Sequence, residues 1–112
     1  MTDRTDTEGG TLSTHVLDAA LGQPAADLRF TVRTADGTAL DGITDTDGRA
    51  RVPAHLPPGP SSITFDTGAW FAAQQRTTFH PEVQVQFLLD AGEHHHVALL
   101  LSPFAYTTYR GS

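Results

Sequence analysis

The sequence predicts an all-β sandwich of about eight short strands carrying one short helix. Three observations predict it. Several short segments alternate apolar and polar residues with period two, as strands with one buried face do. Turn signals recur at about 8–12-residue spacing, the rhythm of a sandwich. A single Ala- and Gln-rich segment departs from both patterns. A length of 112 residues suits one domain with one core.

Residues 1–10, MTDRTDTEGG, offer nothing apolar to bury and are expected to form a tail, leaving a domain over 11–112. They contain no apolar core of a secretory signal, and no run approaches the ~18 apolar residues of a membrane span. Cytoplasmic residence is the default expectation. In residues 12–18, Leu12, Thr14 and Val16 face one way, and Ser13, His15 and Leu17 the other. Ala20-Leu21-Gly22-Gln23-Pro24 is a turn cluster. Residues 28–33 alternate again. Asp36-Gly37 and Asp47-Gly48 mark tight turns, the second just before a short strand over 49–52. Pro57-Pro58-Gly59-Pro60 breaks the chain before a strand over 62–66. Asp66-Thr67 then offers an N-cap for a helix of about two turns over 68–75, closed before His80-Pro81. Strands follow over 83–89, 94–101 and 104–109.

The net charge is −6, and all seven bases are Arg. An acidic surface without basic clusters argues against nucleic acid and anionic membranes as partners. The absence of cysteine excludes disulfides, thiolate catalysis and Cys-ligated zinc.

Four polar features could carry chemistry. In His94-His95-His96 a strand places His94 and His96 on one face, ~6.6 Å apart, and His95 on the other. That spacing suits two imidazoles on one metal or one substrate; an exposed strand end explains it equally well. His15 alone would ordinarily be a half-buried structural residue. Arg49 would ordinarily be a solvated turn charge, and its functional use would be a planar donor fork. The terminal Tyr109-Arg110-Gly111-Ser112 would ordinarily fray, yet β propensity runs to Tyr109. There is no Gly-x-Ser-x-Gly elbow, no phosphate loop and no readable Ser-His-Asp triad. The available chemistry is His, Arg, Ser, Tyr and water, which suits general acid–base hydrolysis of an activated small molecule.

These residues also carry a resemblance. Leu12-Ser13-Thr14-His15-Val16-Leu17-Asp18 with Gly22-Gln23-Pro24-Ala25, Asp47-Gly48-Arg49, Thr67-Gly68-Ala69-Trp70-Phe71, the run from His94 to Phe104, and Tyr109-Arg110-Gly111-Ser112 resemble the transthyretin-like 5-hydroxyisourate hydrolases over residues 12–112. The terminal Tyr-Arg-Gly-Ser separates those hydrolases from hormone-carrying transthyretins. Departures stand at Ala98, where relatives usually have Pro, at Ala105 (Gly), at Trp70 (Tyr) and at His95 (commonly Tyr). None touches a catalytic position.

The resemblance implies a transthyretin-like (prealbumin-like) sandwich in two sheets. It implies metal-free, cofactor-free hydrolysis of 5-hydroxyisourate in urate degradation. His15, Arg49, His96 and Ser112 would be catalytic, and Tyr109, Arg110 and Gly111 would bind substrate. It implies a homotetramer built by edge pairing, with sites in the channel between dimers. Three rivals remain: a small-ligand carrier of the same fold, a zinc site on His15, His94 and His96, and a carboxypeptidase-regulatory-like accessory module.

Overall fold

The structure is a computed structural model and describes residues 9–112. The tail expected over residues 1–8 lies outside the described residues. Gly10, placed in that tail by the sequence, is buried and opens the first strand.

The chain runs β1 (Gly10–Asp18), β2 (Gln23–Pro24), β3 (Arg29–Arg33), β4 (Ala39–Ile43), β5 (Arg49–Leu56), β6 (Gly59–Phe65), α1 (Thr67–Ala72), β7 (Val83–Leu89), β8 (His94–Ser102) and β9 (Ala105–Gly111). Two sheets result. One has the order β2-β1-β8-β9, with β5 on the same edge of β1 as β2; the other has the order β4-β3-β6-β7. β1 and β8 pair in parallel, from Thr11 opposite His94 to Asp18 opposite Leu101. Leu12, Val16, Phe30, Val32, Ile63, Phe65, Leu99 and Leu101 meet between the sheets and are buried. This is the sandwich that the alternation predicts.

Several expected bounds shift for identifiable reasons. β4 had no clear sequence signal, since Ala-Leu-Asp-Gly-Ile lacks β-branched residues until its end; pairing with β3 makes it a strand. β5 extends past Val52 to Leu56, and its register against β1 shifts between Gly10 and Leu12. Pro53, which cannot donate to a ladder, falls within that irregularity. β6 begins at Gly59, inside the expected break. β9 stays paired through Arg110 and Gly111.

The helix is shorter than the expected 68–75. It ends because Gln75 adopts a left-handed φ of 56°. Gln75 N–H donates to the Ala72 carbonyl, and Arg76 N–H to the Phe71 carbonyl, both at 3.0 Å, which is a Schellman cap. Asp66 supplies no side-chain cap. That cap aims Arg76 at Asp18: the guanidinium donates to the buried carboxylate at 2.7 Å and lies 4.8 Å from the Phe71 ring centroid. Burial pushes the Asp18 carboxyl up. The bond from Arg76 and the N–H groups of Leu21 and Ala20 outweigh it, so its pKa lies below the usual value. The last residue of β1 thereby anchors the helix to the sheet.

Candidate active site

The outer face of the first sheet gathers the odd-numbered residues of β1. Because β1 is central, its neighbours bring polar side chains to that face from both sides. β5 sets Arg49 opposite His15. β8 sets His96 opposite Ser13. β9 sets Gly111 opposite His96. Directly paired residues project from the same face. So His15, Arg49, His96 and Gly111, remote in sequence, become neighbours. His15 and His96 are half-buried and Arg49 is exposed.

Each position has a local cause. Arg49 follows a turn in which Asp45 Oδ1 accepts the N–H groups of Asp47 and Arg49, both at 2.9 Å. Those bonds, led by the one from Arg49, hold the Asp45 carboxyl below its usual pKa. Gly48 has φ 76°, and a Cβ there would lie 2.3 Å from the Val16 carbonyl oxygen. Only glycine fits. The Gly48 carbonyl accepts Val16 N–H at 2.8 Å, tying the turn to β1.

His96 is held by one ring nitrogen. Its Nδ1 lies 2.7 Å from the Ser13 hydroxyl. The opposite strand touches the other side of the ring: a Cβ on Gly111 would come within 2.4 Å of Cδ2. Gly111 is therefore where backbone must pass flat against imidazole. Burial lowers the His96 pKa from 6.5, and the nearby charges of His15, Arg49 and His94 lower it further. The ring is neutral at pH 7.

Tyr109 pairs with Ala98, which puts it on the same face as His96; it is exposed. Ser112 follows Gly111 and is exposed. Arg110 is different. Alternation turns it to the opposite face, where Nη2 donates to the Glu93 carboxylate at 3.4 Å and the His94 carbonyl at 3.2 Å. It clasps the end of β9 to β8.

Sequence reasoning missed two residues on this face. Ser13 and Thr11 share it with His94 and His96, and both hydrogen-bond to imidazoles. Period two already put Ser13 beside His15, but the partner strand was unknown. His95 points inward, as alternation implies, and is buried. Its Nε2 accepts Asp90 N–H at 3.0 Å, and its Nδ1 lies 3.1 Å from the Thr11 carbonyl. Both nitrogens are occupied by backbone, so it is structural.

The zinc alternative does not assemble on His15, His94 and His96. Among the described residues, the group of three whose donor atoms lie within 4.8 Å of one another is Asp90, Glu93 and His95. The His95 imidazole there has no free lone pair.

Comparison with known proteins agrees with this architecture. The model of the HIUase/Transthyretin family matches residues 12–111. The chain is 38% identical to a 5-hydroxyisourate hydrolase of Salmonella dublin, over 90% of this chain and 80% of that one. The structure of Klebsiella pneumoniae 5-hydroxyisourate hydrolase superposes with a TM-score of 0.83 at 38% identity, covering 92% of this chain and 94% of the other. Transthyretin from Sparus aurata superposes with a TM-score of 0.78 at 35% identity, covering 89% and 95%. On its sequence and its fold together, the chain belongs to the HIUase/Transthyretin family.

Proposed function

We propose that this protein hydrolyses 5-hydroxyisourate to 2-oxo-4-hydroxy-4-carboxy-5-ureidoimidazoline, a step of urate degradation. One observation carries the reading. His96 is pinned through Nδ1 and stands beside His15 and Arg49 on an outward face, with its pKa lowered from the usual value chiefly by burial. A general base needs a free lone pair and a pKa near or below working pH. His96 Nε2 takes a proton from water, and the hydroxide adds to the ring carbonyl. Arg49 stabilises the developing oxyanion. The acyl C–N bond then breaks, and the leaving nitrogen takes a proton delivered through His15, which gives it from one ring nitrogen and collects one from solvent at the other. Tyr109, Gly111 and Ser112 line the strand-end side of the substrate.

The same fold occurs in sea bream transthyretin, whose structure is in complex with thyroxine. Two imidazoles and a guanidinium converging on one spot suit proton transfer and oxyanion binding better than an apolar ligand.

The reading includes a homotetramer. β9 has no buried residue, and Tyr106 and Tyr109 are 40% and 55% exposed on it. An edge strand whose outer side is unpaired and exposed favours pairing with a second copy. A flat sheet face needs such a partner to enclose a ligand. The reading also places the enzyme in the cytoplasm; no helix among the described residues is long and apolar enough to cross a membrane.

The test is the ultraviolet decay of freshly generated 5-hydroxyisourate. The protein accelerates it, and His96→Asn lowers turnover at least ~100-fold. No acceleration by the unmodified protein overturns the function. Near-normal turnover by the variant overturns the role of His96.

A further inference from the structure

Behind His96 runs a continuous line of hydrogen-bonding groups. Thr11 Oγ1 lies 2.6 Å from His94 Nδ1. His94 Nε2 lies 2.8 Å from Ser13 Oγ. Ser13 Oγ lies 2.7 Å from His96 Nδ1. Parallel pairing produces this line: Thr11 stands opposite His94 and Ser13 opposite His96, all four on the outer face. His94 is exposed, Thr11 half-buried.

Proton counting constrains the line. A serine hydroxyl has one hydrogen to donate. Two ring nitrogens face Ser13, so both cannot be acceptors. If His96 carries its hydrogen on Nδ1, it donates to Ser13. Ser13 then donates to His94 Nε2, and His94 Nδ1–H donates to Thr11. In that polarity His96 Nε2 is bare and points at the open face. In that polarity the tautomers of the two imidazoles are linked through the Ser13 hydroxyl.

We propose that Thr11, His94 and Ser13 form a proton relay that sets the tautomer of His96 and drains to solvent the proton it collects. The proposal rests on the hydrolase reading for its use, though not for its geometry. When His96 Nε2 takes a proton from water, Nδ1 gives its own to Ser13 Oγ. The Ser13 hydrogen passes to His94 Nε2, the His94 Nδ1 hydrogen to Thr11 Oγ1, and the Thr11 hydrogen to bulk water. Only N–H and O–H bonds change, and every group ends neutral. The hydroxide stays with the substrate. Net positive charge therefore need not rest on His96, where burial and Arg49 disfavour it, or on His94, where burial, Arg51 and Arg110 disfavour it. Passing the proton on is thus favoured over holding it at either ring. Ser13, His94 and Thr11 are positioning residues, since the substrate meets only His96.

Nitrogen NMR of histidine-labelled protein at about pH 8 reads the tautomer directly. The expected His96 signal is that of a protonated Nδ1 and a bare Nε2. Ser13→Ala shifts it toward the Nε2-protonated form and lowers kcat about 10-fold or more, with KM within about twofold. Ser13→Thr restores both readouts. Thr11→Val leaves the His96 tautomer unchanged and lowers kcat severalfold. A Ser13→Ala variant with an unchanged tautomer, or with unchanged kcat, overturns the relay; unchanged kcat in Thr11→Val overturns its outlet. If the unmodified protein shows no turnover, the hydrolase reading fails, while the spectra still decide whether Ser13 governs His96.

Discussion

Two Asp-Gly turns look alike in the sequence and differ in what they hold. Asp36-Gly37 closes the hairpin between β3 and β4. Gly37 has φ 89°, and a Cβ there would meet nothing within 4 Å. Its Asp36 carboxylate accepts the hydroxyl of Thr34 and the N–H of Thr38, all within the turn. Asp47-Gly48 carries the chain from one sheet to the other. Gly48 is buried against Val16 and Ala25. The carboxylate there belongs to Asp45 and holds the backbone of Arg49. One dipeptide only reverses the chain; the other sets the distance between a guanidinium and the imidazoles. Positive φ is a property of the turn, whereas packing around it is a property of the fold.

Four experiments break or sharpen that contrast. Gly48→Ala has the largest expected effect, since backbone strain and a clash with a carbonyl combine: stability falls by about 3 kcal/mol or more and activity is lost. Thermal unfolding beside Gly37→Ala checks it, and equal melting of the two variants would erase the distinction. Asp45→Ala comes next. It frees the Arg49 backbone, so KM rises severalfold while the melting temperature moves little; steady-state kinetics and a melt together show the split. Gly37→Ala costs only about 1 kcal/mol, the strain of positive φ alone, and leaves kcat/KM within about twofold.

The smallest effect is in pH. Both carboxylates titrate below 3.8, Asp36 through the Thr34 hydroxyl and Asp45 through Arg49 N–H. A depressed folded pKa adds stability above the unfolded value, and that stability is lost as pH falls through the folded pKa. Acid thus loosens both turns only below about pH 3.8. His96 behaves oppositely to a histidine that gains an anion. Its folded pKa lies below 6.5, so the folded state loses stability as pH falls through that window. The acid limb of kcat/KM accordingly lies below pH 6.5 and precedes any loosening of the turns. A limb at or above 6.5 would assign the base to another group.

Much of this was legible beforehand. The period-two runs gave β1, β3 and β7, and the faces of Leu12, Thr14 and Val16 against Ser13 and His15; β8 was read as a strand with an apolar end. The split of His94 and His96 from His95 followed from the same alternation. What alternation does not encode is which strands are neighbours. Nothing local says that β8 lies parallel beside β1, so the bond from Ser13 to His96 was invisible. The convergence of His15, Arg49 and His96 came only through family resemblance. The resemblance grouped Arg110 with its neighbours, and strand alternation separates its position from those of Tyr109 and Gly111 by one step. β4 was missed because pairing with β3, not its composition, makes it a strand.

The parallel pairing of β1 and β8 also bears on how the protein comes into being. Ser13 and His96 are 83 residues apart. Closing a loop of that length costs roughly 4 kcal/mol of chain entropy before any contact repays it. Hairpins such as β3–β4 and β8–β9 close far shorter loops and can form first. The site therefore has no partial version: it exists only when the most distant pairing in the sheet is made. Recovered turnover after dilution from denaturant therefore cannot precede that pairing. A chain stalled with its hairpins formed would look structured to spectroscopy and be chemically silent.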